Sequence, residues 1–159
     1  MLRVVRKATL DDVDTIGYVH YLAHLETYSG KFPKGVIEGF PAEQRARMWR
    51  RVLSRASGDL WVAEADGQIV GFASAGPSRD DPPARELELS SIYLLAAHQG
   101  SGLGQGLLDA ALGDRPASLW VLDDNPRAHA FYARNRFTPD GVERTDEKFG
   151  NVRELRMVR

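Results

Sequence analysis

Apolar residues recur along the chain with two different periods, and each change of period marks an element. Leu2 to Lys7 alternates weakly and is rich in valine, which predicts a short first strand. Thr9 then offers a helix N-cap. Asp11, Asp12 and Asp14 fall in the first turn, where carboxylates favour the positive end of the helix dipole, so a helix is expected to run to about Glu26. Gly30, Pro33, Gly35 and Gly39 make Thr27 to Phe40 a loop. From Pro41 to Ala56 the residues Ala42, Ala46, Trp49, Leu53 and Ala56 return at helical spacing and predict a second amphipathic helix. Leu60 to Glu64 and Gln68 to Ser74 flank Asp66-Gly67, a hairpin-turn dipeptide, and read as antiparallel strands.

The second half repeats these signals. Gly76 to Ala84, with three prolines, reads as an irregular loop, and Arg85 to Leu95 as the longest strand. A glycine-rich turn leads into a helix whose stripe is Leu103, Leu107, Leu108, Ala111 and Leu112, ending near Gly113. Ala117 to Leu122 is a buried-looking strand. Asn125-Pro126 supplies an N-cap and a first-turn proline for a short helix to about Asn135. Two last strands, near Val142 to Lys148 and Val152 to Val158, surround Phe149-Gly150-Asn151. The pattern is a mixed α/β layer architecture, expected as one domain over residues 1–159.

Composition narrows the function classes. The 21 basic and 22 acidic side chains give no global field to draw the chain onto nucleic acid or a membrane. No apolar run approaches the roughly 20 residues needed to span a bilayer, and Met1 to Lys7 lacks a signal-peptide core, so the expected location is cytoplasmic. The absence of cysteine excludes disulfides and thiolate nucleophiles or metal ligands.

His98-Gln99-Gly100-Ser101-Gly102-Leu103-Gly104-Gln105-Gly106 carries the sharpest signal. Its glycines allow close backbone approach, and the first amides of the following helix point outward unpaired, which makes a phosphate site. A P-loop needs Gly-Lys-Ser/Thr, and the turn has no lysine. A dinucleotide fingerprint needs Gly-x-Gly-x-x-Gly, but Gln105 or Leu107 stands at the last place. What remains is Gln-x-x-Gly-x-Gly, matched by Gln99, Gly102 and Gly104. Here the chain resembles the GNAT superfamily of acyl-CoA N-acyltransferases. The resemblance implies a central, mostly antiparallel sheet of about seven strands with helices on both faces. It implies a gap where the fourth and fifth strands splay, and acetyl-CoA as co-substrate without a metal. Gly100, Ser101 and Leu103 would join the three motif residues around the pyrophosphate, and Ile92, Tyr93 and Leu94 would present backbone groups to the pantetheine arm.

Asn125, Ala128, Phe131-Tyr132 and Phe137 resemble the family's C-terminal motif. By that resemblance Asn125 contacts the pantetheine arm or orders the turn, and Tyr132 is the general acid for the leaving thiolate. A phenol of pKa about 10 can protonate a thiolate of about 8.5 at little cost. Phe131 reads as helix core. The family usually has Gly where Arg136 stands, and Asn135 is expected to take the left-handed cap one position early. Strand alternation puts Glu86, Glu88, Ser90 and Ile92 on one face. Glu88-Leu89-Ser90-Ser91-Ile92-Tyr93 resembles a family pattern whose Glu faces the acyl centre, which makes Glu88 the candidate base. The implied reaction is direct attack of a primary amine, on a small molecule or a peptide, with no acyl-enzyme. The competing readings are a noncatalytic acyl-CoA-binding module and a partner-binding domain without a ligand. Many members of the family pair as dimers, so a homodimer stays open.

Other constellations read more plainly. His20 and His24 lie one helical turn apart, but Tyr21 stands where a zinc-protease motif needs Glu, so they read as satisfied, partly buried histidines. Arg47, Arg50, Arg51 and Arg55 fall away from the apolar stripe of the second helix, as a solvated face, while Arg45 does not. Tyr28, Phe32 and Glu38 are candidate acceptor contacts in the loop between the first two helices. Asp80 and Asp81 read as solvated loop acids.

Overall fold

The computed structural model describes residues 1–55 and 59–159; Ala56, expected to end the second helix, lies outside them. The chain folds as β1 (Arg3–Lys7), α1 (Val13–Tyr28), α2 (Ala42–Leu53), β2 (Asp59–Ala65), β3 (Gln68–Pro77), β4 (Leu87–Leu94), α3 (Leu103–Leu112), β5 (Ser118–Leu122), α4 (Pro126–Arg134), β6 (Thr138–Asp146) and β7 (Val152–Val158). The expected order of elements is therefore present. The differences lie at ends: α1 is preceded by a 3-10 turn at Leu10–Asp12, β3 runs on to Pro77, β6 begins at Thr138, and β4 starts only at Leu87, so that β3 with 10 residues, and not β4 with 8, is the longest strand. Asp12 accepts the Thr9 amide at 2.8 Å and closes the entry to α1.

Seven strands form one sheet in the order β1-β2-β3-β4-β5-β7-β6. Every neighbouring pair is antiparallel except β4 and β5, which α3 connects as a parallel crossover. The stripe predicted on α3, Leu103, Leu107, Leu108, Ala111 and Leu112, is buried against Ala73, Ala75, Leu89, Leu119 and Val121. On the opposite face Val13, Ile16 and Val19 of α1 and Trp49 of α2 cover Leu60, Val62 and Phe72. α1 and α2 touch at Gly17, where a Cβ would lie 2.6 Å from the Ala42 carbonyl oxygen.

This second layer encloses an unusual polar core. Arg45 is fully buried, and among the described residues it has no carboxylate partner. Its guanidinium donates to the Phe40 and Ile37 carbonyls and to His24 Nδ1, and it lies 4.7 Å from the Phe40 ring centre. Three hydrogen bonds and an aromatic face are what make a buried cation tolerable. Because Arg45 donates to Nδ1, His24 carries its hydrogen on Nε2 and donates it to Tyr93 Oη at 2.9 Å. His20 Nδ1 accepts from Trp49 Nε1 at 3.2 Å. The four exposed arginines of and just beyond α2 form the expected solvated face.

Burial, followed by the neighbouring His24 and Arg45, lowers His20 to about 2; burial, followed by Arg45, lowers His24 to about 3. Both are therefore neutral in the folded state, while in the unfolded chain they take up protons near pH 6.5. A depressed folded pKa stabilises the fold fully above the unfolded value and progressively less as pH falls toward the folded one. Urea unfolding at pH 7 and pH 5 is expected to show a loss of up to about 2 kcal/mol per histidine at the lower pH. Stability that stays flat across this window would contradict neutral burial of the pair.

Candidate functional site

β4 and β5 share a single rung, Glu88 opposite Ser118. The cause lies in β4. Against β3, Leu89 faces Ala75 and Ser91 faces Ser74, so Ser90 is an extra residue, a β-bulge. Ser74 Oγ ties the bulge down, at 2.5 Å from Ser90 Oγ and 2.6 Å from Ser91 Oγ. The extra residue reverses the alternation of the strand. Ile92 and Leu94 consequently pack with Leu89 toward α3, while Tyr93 joins the α1 side. The expectation that Ile92 shares a face with Glu88 is corrected on this ground: strict alternation does not survive a bulge.

Past that rung the β4 edge facing β5 has no ladder partner, and a cleft of about 660 Å³ opens between the strands. One end is walled by Ile92, Tyr93, Leu94, Gln99, Gly100, Gly102 and Gly104, with Asn125 and Tyr132 opposite. Gly102, with φ at +89°, is the N-cap of α3, and nothing stands within 4 Å of the place its Cβ would take. The first-turn amides of Gly104 and Gln105 have no carbonyl partner inside the helix. Gln99 Nε2 lies 3.4 Å from the Leu94 carbonyl and bridges strand to turn. Ser101 and Leu103 do not line the cleft: Ser101 Oγ accepts the Leu103 amide at 3.3 Å, and the Leu103 side chain is in the core. Asn125 Oδ1 accepts the Ala128 amide and caps α4, with Pro126 in the first turn. Phe131 lines the cleft as well as packing on the core, beyond the purely structural place expected of it.

Tyr132 is buried, and burial, with Tyr28 adding to it, pushes its phenol well above the ordinary value. It holds its proton at neutral pH. Burial first, then Tyr28, does the same to Tyr93. Glu88 is not brought to the cleft wall. It is 2% exposed; Oε1 accepts the Arg79 amide at 2.9 Å, and Oε2 accepts Arg79 Nη2 at 2.5 Å and Nε at 3.2 Å. Burial works against the Arg79 charge, but the hydrogen bond and attraction of Glu88 carry its pKa above the usual guanidinium value. Arg79 itself faces the cleft, with Thr27, Tyr28, Trp120, Arg144 and Glu154.

Residues 13–137 match the model of the Acetyltransferase (GNAT) family. The chain belongs to the GNAT acetyltransferase family. An uncharacterized N-acetyltransferase of Archaeoglobus fulgidus is 31% identical over 139 residues, covering 81% of this chain and 88% of that protein. Another, YuaI of Bacillus subtilis, is 29% identical over 156 residues, covering 94% and 87%. Among solved structures, the PaiA N-acetyltransferase of Thermoplasma acidophilum in complex with coenzyme A superposes with a TM-score of 0.73 over 98% of both chains, at 22% identity.

Measured against the GNAT motif, the departure at Arg136 is real and is solved differently from the expectation. Arg136 itself is left-handed at φ +70°, in the place of the family's Gly, whereas Asn135 stays at φ −101°. The Asn135 side chain instead donates to the Phe131 carbonyl and pairs with Gln105, joining α4 to α3. Asp80 is also no idle loop acid: it accepts the Trp120 indole N–H at 3.0 Å and pairs with Arg156. Tyr28 reaches the cleft, Phe32 stacks on Tyr28 at 4.7 Å, and Glu38 stays exposed and away from it. Arg79, Trp120, Arg144 and Glu154 carry no motif: Arg79 lies in the loop before β4, Trp120 in the apolar β5, and Arg144 and Glu154 on the last two strands. An indole N–H in an otherwise apolar strand was the one signal that pointed to them. Among the described residues no group of three or more His, Cys, Asp or Glu is arranged to hold a metal.

Gly102→Glu places a carboxylate among the outward amides without entering the core, and at φ +89° its side chain also strains the turn. Calorimetric titration with acetyl-CoA is expected to show binding to wild type and affinity lower by tenfold or more, roughly, for the variant. Equal affinities would exclude this turn as an anion site.

Proposed function

We propose that this chain is an N-acetyltransferase that moves the acetyl group of acetyl-CoA onto a primary amine by direct attack within a ternary complex. The observation that carries the reading is the continuity of one cleft from the helix amides of α3, past Tyr132, to the polar cluster around Trp120. In this arrangement the amides of Gly102, Gly104 and Gln105 receive the pyrophosphate, and the unpaired β4 edge at Ile92, Tyr93 and Leu94 receives the amides of the pantetheine arm. The helix amides, and the groups of alternate β4 residues that point toward β5 and not toward β3, are left without partners by the fold, so binding completes hydrogen bonding that the sheet and helix could not.

Tyr132 donates the proton to the leaving thiolate. Its raised pKa makes it a weaker donor than a free phenol, but the thiolate forms in the same buried place and is raised by the same desolvation, so the transfer stays close to balanced. No side chain forms an acyl intermediate. Glu88 acts through Arg79: with both oxygens committed to that guanidinium, it fixes the acceptor wall and does not take the amine proton. The amine therefore has to lose its proton without Glu88. For an amine of pKa about 10.4 that costs roughly 4.6 kcal/mol at pH 7, and for one near 8 only about 1.4 kcal/mol.

Turnover with acetyl-CoA and an amine panel tests the reading. Tyr132→Phe is expected to lower kcat roughly 100-fold with the KM for acetyl-CoA unchanged. Glu88→Gln is expected to lower kcat/KM for the amine without moving the acidic limb of the pH profile, which a general base would carry with it. Acetyl-CoA binding with no turnover on any amine would leave the noncatalytic alternative standing instead.

A further inference from the structure

The acceptor end of the cleft is charged in an uneven way. Besides Arg127 and Arg134, which α4 carries, the charged side chains lining the cleft are Arg79, Arg144 and Glu154. Glu88 is the fourth member of the cluster, but it is buried behind Arg79 and meets no ligand. Each guanidinium is held from one side only. Arg79 gives Nε and Nη2 to Glu88, which leaves Nη1 uncommitted, and Arg144 gives Nε to Glu154 at 3.0 Å, which leaves both Nη groups uncommitted. Arg144 lies over the Trp120 ring at 4.1 Å. Asp80, next to Arg79, fixes that indole by accepting its N–H, and Glu154 acts on Arg79 as well as on Arg144. Arg144 is thus stacked on Trp120 and Arg79 lines the same cleft, each with N–H donors that no acceptor among the described residues uses.

Resting on the N-acetyltransferase reading, we propose that the acceptor is a free amino acid, whose carboxylate is received by Arg79 and Arg144 beside Trp120 while its α-amine faces the acyl centre. Paired guanidinium donors match a carboxylate in shape and charge. The assignment also eases the loss of the amine proton, which Glu88, committed to Arg79, does not take. A carboxylate neutralised by two guanidinium groups no longer holds the proton on the neighbouring amine, so the α-amine falls toward the range of a peptide α-amine. At a pKa of about 8, about a tenth of such an amine is unprotonated at pH 7, against about one part in 2,500 for a lysine-type amine.

The test uses the full chain, acetyl-CoA, the free amino acids and their carboxamides, which differ only in the group that the arginines would meet. At least one amino acid is expected to be acetylated with kcat/KM roughly tenfold or more above its amide. Arg144→Gln is expected to raise the KM for that amino acid by a similar factor, leave the KM for acetyl-CoA unchanged and abolish the preference over the amide. Arg79→Lys, which keeps a charge against buried Glu88 but loses the fork, is expected to do the same in smaller measure. A merely structural role for either arginine would change amino acid and amide alike. Amides, peptide amines or polyamines acetylated as well as or better than every amino acid would overturn the assignment while leaving the acetyltransferase reading intact. No turnover on any amine would overturn both.

Discussion

The extra residue that β4 carries at Ser90 ends its pairing with β5 after one rung, and most of what this protein can do follows from that break. An unpaired strand edge inside a sheet is normally a defect, because backbone N–H and C=O groups go unsatisfied away from water. Here the break stands over the N-terminus of α3, another place where backbone amides have no internal partner. The two sets of orphan groups face one cleft. The bulge is secured from the other face by the Ser74, Ser90 and Ser91 hydroxyls, so the opening is built into the hydrogen bonding of the sheet.

The charged groups around the cleft follow a common plan: each carboxylate near the acceptor end pairs with an arginine. Glu88 fixes Arg79, Glu154 fixes Arg144, and Asp80 fixes Trp120 and Arg156. On the α1 side the chain from Arg45 through His24 to Tyr93 does comparable work without any carboxylate, and positions the strand that forms one wall. The site that results is rich in guanidinium and backbone donors. Such a site suits a reaction whose barrier is lowered by positioning and by oriented hydrogen bonds more than by proton abstraction.

The elements of the fold were largely legible in the sequence because each is bounded by strong local chemistry: Asp66-Gly67 for the β2–β3 hairpin, Asn125-Pro126 for α4, and the leucine stripe for α3. The glycine-rich turn was legible for the same reason, since few residue types fit there. The bulge was not, because serine repeats carry no period that betrays an inserted residue, and the face assigned to Ile92 failed with it. Glu88 stood out as the acid of a familiar pattern, yet its partner Arg79 comes from a loop read only as irregular. Trp120, Arg144 and Glu154 come together because β7 inserts between β5 and β6, a long-range arrangement that no local pattern encodes.

Backbone amide exchange, followed residue by residue with and without acetyl-CoA, tests the central claim most directly, since that claim concerns unpaired backbone groups. Protection by the ligand is predicted at the β5-facing amides of Ile92 to Leu94 and at Gly102, Gly104 and Gln105, with little change in β1, β2 or α2. Protection confined to other elements, or none at these two segments when acetyl-CoA is bound, would contradict the assignment of the cleft between β4 and β5 as the donor site.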